Sequence, residues 1–267
     1  MEIEGDLKTL DQIIRAAGDK LMSFYRRDDL RVTQKKDDSL VTEADLASEK
    51  VIIDALTEHF PGDKIYSEEA GLSSADRHEG SYIWIVDPLD GTTNFSNHYP
   101  FFCVSMGRGV FTKDGKIEIV QGGVYDPVRE ECFLAERGRG ASCNGRDISV
   151  RPDRPPEEGF IVTGFSYHKG PELEVDVNRF LRVAEVCQSI RRDGAAALDL
   201  AYVAYGIYDG YWEFGLRPWD IAAGSLIVQE AGGYVYDTGR GADSFDPESD
   251  GILCGTRSMS EYLRSKM

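Results

Sequence analysis

WIVDPLDGTTNF, residues 84–95, sets an apolar run directly against two carboxylates three positions apart. The run belongs to SYIWIV (81–86), a short strand-type segment. Asp87 and Asp90 then fall at the strand end, followed by Gly91 and the hydroxyls of Thr92 and Thr93. Hard cations such as Mg2+ prefer oxygen ligands, and one or two carboxylates with a substrate phosphate are a usual set. A glycine lets backbone approach a ligand, and the N–H groups after it can cradle phosphate oxygens. Asp, Pro and Gly are also turn residues, so D-P-x-D-G alone balances a turn against a site. The continuation T-T-N-F, between this strand and the next, favours the site.

Outward from this segment the pattern is mixed. Leu7, Leu10, Ile13, Ile14, Ala17, Leu21 and Phe24 predict an amphipathic helix over 6–26. Residues 28–40 are polar and read as an exposed loop. A helix over 43–59 is announced by a Thr42/Asp45 capping box and closed by Pro61-Gly62. FFCVSMGRGV, KIEIVQGGVYD and ECFLAERG, divided by Asp114-Gly115 and Asp126-Pro127, predict an antiparallel meander, and Asn144-Gly145 marks a further tight turn. The Pro- and charge-rich stretch 151–158 joins two halves of what reads as a single domain, 1–267. The second half alternates: strands at 160–165, 189–192 and 208–214, helices at 172–187, 195–205 and 220–231, two short strands (GYVYD, GILCG) and a helix at 257–265. Helices, then a meander, then alternation predict layered α+β structure rather than one doubly wound sheet.

The formal net charge of −17 argues against a nucleic-acid surface and against docking on anionic lipid. It permits an anionic small substrate, because bound divalent cations reverse the local field. Five cysteines without a C-x-x-C pair read as free thiols. The polar, acidic start MEIEGDLKTL lacks the features of a secretory signal, and no apolar run approaches a membrane span. A soluble cytoplasmic protein is expected. His59, His78, His98 and His168 form no local cluster, which argues against zinc or His-based chemistry.

Two carboxylates make a weak site alone, and four others are candidates. Glu68, in a Glu-Glu pair after KIYS, could be solvated surface. Asp45 could simply cap its helix, and Asp220, opening a helix after Pro218-Trp219, could do the same. Glu213 could occupy a plain edge position on an aromatic strand.

Three blocks change that weighting: LVTEAD (40–45); SEEA (67–70) with WIVDPLDGTTNF; and WEFGLRPWDIAAGSLIVQEAGG (212–233), preceded by RRDGAAALDLAYVAYG (191–206). Together they resemble the inositol monophosphatase family of lithium-sensitive, Mg-dependent sugar phosphatases, in order along nearly the whole chain. The resemblance implies a layered α-β-α-β-α sandwich and two or three Mg2+ per site. It implies metal binding by Glu68, Asp87, the Leu89 carbonyl, Asp90 and Asp220, and phosphate binding by Gly91 and Thr92. Thr92 and Asp45 would orient and deprotonate the attacking water, with Glu68 catalytic through its ion. Substrate contacts would come from Asp90, Ala195, Ala196 and Glu213.

The implied reaction is in-line attack by water on a small phosphomonoester, with inversion at phosphorus. Inositol monophosphate is the first substrate, ahead of fructose 1,6-bisphosphate, histidinol phosphate and 3'-phosphoadenosine 5'-phosphate. The implied assembly is a homodimer, inhibited by lithium. Position 195 is Ala where many relatives carry Thr or Ser, and Lys35 and Lys36 fall where relatives often carry a Lys. A catalytically silent, partner-binding protein on the same fold is the rival from another class.

Overall fold

Leu7, Leu10, Ile13, Ile14, Ala17 and Leu21 are all buried along one face of the first helix, α1 (Gly5–Met22). The computed structural model describes residues 5–34, 40–165, 170–238, 245–249 and 251–267. After α1 come β1 (Val32–Gln34), β2 (Leu40–Thr42) and α2 (Glu43–His59). β3 (Lys64–Ser67), β4 (Gly71–Leu72) and β5 (Tyr82–Asp90) lead into a short helix, α3 (Thr92–Ser96). The meander follows as β6 (Cys103–Phe111), β7 (Ile117–Asp126), β8 (Glu131–Glu136), β9 (Gly140–Cys143) and β10 (Arg146–Asp147). A 3-10 turn at Pro156–Glu158 precedes β11 (Phe160–Thr163), α4 (Pro171–Ala184), β12 (Ser189–Arg191) and α5 (Ala196–Ala204). The chain continues through β13 (Gly210–Phe214), α6 (Pro218–Glu230), β14 (Tyr234–Asp237), β15 (Gly251–Gly255) and α7 (Arg257–Lys266).

Two sheets organise these elements. One has eight strands in the order β10-β9-β8-β7-β6-β5-β3-β4, the other five in the order β12-β11-β13-β15-β14. The first is antiparallel except where β3 runs parallel to β5. In the second, β11 runs parallel to both neighbours while β15 is antiparallel to β13 and β14.

Side chains alternate between the faces of a strand, and that alternation builds the layers. Trp84 and Val86 share a core with Val104, Met106, Leu134 and the apolar faces of α1 and α2. Ile83 and Ile85 belong instead to a central core with α5 and α6. Val162, Tyr211, Ile252 and Cys254 of the second sheet enter that same core. Their neighbours Ile161, Trp212 and Leu253 pack the other way, with Val183 of α4 and Met259 and Leu263 of α7. The result is the α-β-α-β-α sandwich, with α5 and α6 as its central layer. Glycines let α6 lie directly on the first sheet: a β-carbon on Gly122 would sit 2.9 Å from the Ala223 carbonyl oxygen, and one on Gly107 3.1 Å from the Ala222 β-carbon.

Local readings differ from the structure in five places. The first helix ends at Met22; turns follow, and Arg26 takes φ +63°, incompatible with continuing the helix. The polar stretch 28–40 holds β1 and the first residue of β2, with which it pairs antiparallel; Lys35 and Lys36 lie outside the described residues. The strand β5 runs through the aspartate motif, and T-T-N-F forms α3. The helix α6 starts at Pro218, so Asp220 is its third residue rather than its first. Glu213 lies on a central strand, not an edge. The Asn144-Gly145 turn is present, with φ of 49° and 76° matching a type I′ hairpin. All five cysteines are unpaired and buried. His59, His78 and His98 are exposed, and His168 lies outside the described residues. Among the described residues no helix is long and apolar enough to cross a membrane.

Candidate active site

Residues three apart on a regular strand point to opposite faces, yet Asp87 and Asp90 line one cavity. A register shift between β5 and β6 at these residues reconciles the two facts. Pro88 has no N–H for the ladder, and the Asp87 carboxylate accepts the Leu89 N–H at 3.0 Å, closing a tight local turn. Ser48 of α2 donates to the Pro88 carbonyl at 2.8 Å and holds the bulge from below. The Leu89 side chain is buried, leaving its carbonyl to accept from the Thr92 hydroxyl at 3.1 Å.

Asp45 is positioned by the capping box. One of its oxygens accepts the Thr42 N–H at 2.9 Å and the Thr42 hydroxyl at 2.6 Å. The other lies 3.1 Å from the Thr92 hydroxyl oxygen. Thr92 Oγ1 is thus within reach of both Asp45 and the Leu89 carbonyl. Asp220 repeats the device on α6, accepting the Arg217 N–H at 2.7 Å. The start of α6 is held by an edge-on contact of Trp219 with Tyr66 and by Ser105 donating to the Trp219 carbonyl at 3.3 Å. Asp90 accepts the Ala197 N–H at 2.7 Å, from the first turn of α5.

Gly91 takes φ +92°, a left-handed conformation that favours glycine. A β-carbon there would lie 3.1 Å from the Phe101 carbonyl oxygen and 3.3 Å from the Ala195 β-carbon. Ala195 therefore packs behind Gly91, while Ala196 lines the cavity. Asn94 ties α3 to the approach to α5, donating to the Phe101 and Asp193 carbonyls at 2.8 Å each.

The cavity, about 130 Å³, collects Glu68, Asp87, the Leu89 residue, Asp90, Gly91, Thr92, Ala196, Glu213 and Asp220. Asp45 lies just behind Thr92. Burial raises the Asp87 and Asp220 pKa values well above the carboxylate range, and the surrounding carboxylates raise them further. Asp90 is pushed up to about 6, chiefly by burial, against the pull of the Ala197 N–H. Asp45 also reaches about 6 through burial, opposed by its Thr42 bonds. Glu213 accepts the Tyr211 hydroxyl at 2.6 Å and is pushed up to about 7, again by burial first.

Such a group of buried, mutually repelling carboxylates calls for cationic charge, and its all-oxygen donor set suits Mg2+. Among the described residues no three acidic, histidine or cysteine side chains close on one point as a cage.

A stability prediction follows. Raised acid pKa values mean that the folded state holds protons the unfolded state has released, so stability falls as pH rises through that window. Without divalent cation the melting temperature drops between about pH 5 and about pH 8, and saturating Mg2+ removes most of the drop. Thermal denaturation at both pH values, with and without Mg2+, checks this; an equal drop in both series contradicts it.

Four contributors escape sequence reading. Ser48 and the Ala197 N–H act across the fold and leave no local signature. Gly164 matters through absence, because a β-carbon there would overlap the Glu213 carboxylate. Arg192 also lines the cavity, and only the quoted RRDG block hinted at its neighbourhood.

The chain matches the model of the inositol monophosphatase family over residues 4–267. It is 43% identical over 226 residues to the Nus factor SuhB of Pseudomonas aeruginosa, covering 84% of this chain and 82% of that protein. It is 39% identical over 230 residues to the inositol-1-monophosphatase of Synechocystis sp., covering 86% of this chain and 77% of that one. The structure is similar to that of the extragenic suppressor protein suhB from Bartonella henselae, with a TM-score of 0.87, 37% identity and 97% of each chain covered. By sequence along its length and by layered fold, the chain belongs to the inositol monophosphatase family.

Proposed function

We propose that this chain is a Mg2+-dependent phosphatase of small phosphomonoesters, with inositol monophosphate as its first substrate. The observation that carries the reading is Thr92 Oγ1, 3.1 Å from both Asp45 and the Leu89 carbonyl, at the edge of the carboxylate-lined cavity. Glu68, Asp87, the Leu89 carbonyl, Asp90 and Asp220 would hold two or three Mg2+ ions. Bound Mg2+ supplies neutralising charge for the phosphoryl oxygens and lowers the pKa of water.

The chain's own groups supply the rest. The Gly91 and Thr92 backbone would hold the phosphate, where the first-turn N–H groups of α3 lack intrahelical partners. Thr92 would take the proton of the attacking water and give its own to Asp45. An Asp45 pKa near 6 leaves that carboxylate ionised and receptive at neutral pH. Water forms the new P–O bond as the bond to the leaving alcohol breaks, inverting phosphorus. Glu213 and Ala196 would border the leaving alcohol, with Glu213 facing its hydroxyls, while Ala195, expected there from sequence, sits behind Gly91. A cytoplasmic homodimer sensitive to lithium completes the proposal, as does the single domain over 1–267.

The relatives named Nus factor SuhB support a second reading, a factor that acts by binding. With a net charge of −17, the partner under that reading would be protein rather than bare nucleic acid. Phosphate release separates the two. We expect Mg2+-dependent turnover with the highest kcat/KM for inositol 1-phosphate, ahead of fructose 1,6-bisphosphate, histidinol phosphate and the adenosine bisphosphate. No turnover on any of the four would defeat the enzyme reading.

The contact between Gly164 and Glu213 gives a sharper check on the alcohol side. Gly164→Ala displaces the Glu213 carboxylate. Losing one charged hydrogen-bond partner raises KM for inositol 1-phosphate roughly tenfold, with kcat changed less. Steady-state kinetics read it; an unchanged KM removes Glu213 from substrate recognition.

A further inference from the structure

The cavity is lined by five carboxylates, Glu68, Asp87, Asp90, Glu213 and Asp220, and among the described residues by one cationic side chain, Arg192. Other arginines in this acidic chain are engaged: Arg108 with Asp6 and Asp63, Arg154 with Asp209, and Arg191 with Ser189 and the Ile190 carbonyl. The Arg192 guanidinium makes no ion pair or hydrogen bond to a described residue. Its carbon lies 5.5 Å from the centre of the Phe165 ring, an arrangement that orients the planar fork.

Its position is specific. Phe165 follows Gly164, the residue against which the Glu213 carboxylate rests. Arg192 and Glu213 thus line the same cavity with opposite charge, with no ion pair between them. Glu213 suits hydroxyl groups, which donate to it. A guanidinium suits phosphate, which it can grip through two parallel bonds. The phosphoryl group undergoing hydrolysis is provided for elsewhere, at Gly91 and Thr92, so the anion that Arg192 fits is a second one.

We propose that Arg192 is a specificity-determining residue that recognises a second phosphate on the leaving alcohol of polyol or sugar substrates. The inference rests on the phosphatase reading above and adds such bisphosphates to its substrates, behind inositol 1-phosphate.

The test compares inositol 1-phosphate with inositol 1,4-bisphosphate as substrates of the full chain with Mg2+. The quantity read is the ratio of kcat/KM for bisphosphate to that for monophosphate. Arg192→Gln lowers this ratio by about tenfold or more, mainly through KM of the bisphosphate, and Arg192→Lys recovers part of it as a point charge without the fork. An unchanged ratio overturns the proposal, as does an equal loss on both substrates. Turnover of neither substrate by the unaltered chain sinks the phosphatase reading instead. Calorimetric binding of inositol 1,4-bisphosphate then decides on Arg192: affinity weakened by Arg192→Gln supports its role, and equal affinity ends it.

Discussion

Asp45→Asn lowers kcat by roughly 10²–10⁴-fold, the range for removal of a general base. It also removes the Asp45 contribution to the acid limb of the kcat/KM profile below about pH 6. The direction follows from hydrogen-bond polarity. One Asp45 oxygen is held by two donors, the Thr42 N–H and hydroxyl, so an asparagine there must turn its carbonyl oxygen toward Thr42. Its NH2 then faces Thr92 Oγ1, where the wild-type chain presents an acceptor. Thr92 can accept from that group but cannot give a proton to it, and the relay from water is broken. The capping bonds survive, so the helix α2 keeps its start and the loss is kinetic rather than structural. In the unaltered chain, activity falls as pH drops through about 6 because protonated Asp45 no longer accepts. A variant with more than half of wild-type kcat would rule out Asp45 as the base.

The second large effect is two-sided. Asp90→Asn lowers Mg2+-dependent kcat/KM on the order of 10³-fold, because a ligand charge at the phosphoryl centre is lost. Without Mg2+, the same change raises stability. Asp90 is buried beside other carboxylates, and burial holds its pKa near 6, about two units above an ordinary aspartate. A shift of that size corresponds to about 3 kcal/mol of penalty for the ionised form. Relieving it raises the melting temperature at about pH 8 by roughly 6–12 °C. Asparagine can still accept the Ala197 N–H, so that bond need not be lost. Activity and cation-free thermal stability measured on one preparation give the answer. A folding defect lowers both quantities, whereas loss of a ligand moves them in opposite directions.

Local pattern explains much of this molecule. The helix α2, its capping box, the meander and the Asn144-Gly145 turn all depend on residues close in sequence, and each appears where its periodicity or turn chemistry places it. The antiparallel pair β1 and β2 escapes such reading because strands of three residues, half of them polar, show too little alternation. The site shows the same division. Asp87, Asp90 and Gly91 announce themselves by spacing. The bulge that turns both aspartates into one cavity depends on pairing with β6. The Ala197 N–H that meets Asp90 comes from 107 residues away, and any residue type but proline could supply it. Arg192 looks like any surface arginine until the fold sets it beside Glu213.

The cavity draws on two sheets unequally. Asp87 and Asp90 belong to the first sheet, while Glu213 is on β13 and Arg192 directly follows β12, both in the second. Asp220 comes from the helix between them, seated on glycines that hold it against the first sheet. Under the proposed function, hydrolytic machinery and choice of alcohol would therefore be carried by parts of the chain that can change separately. After gene duplication, a few replacements around β12 and β13 would give a descendant a new metabolite to act on. The inherited reaction, anchored in the first sheet and the helix above it, would pass through that divergence intact.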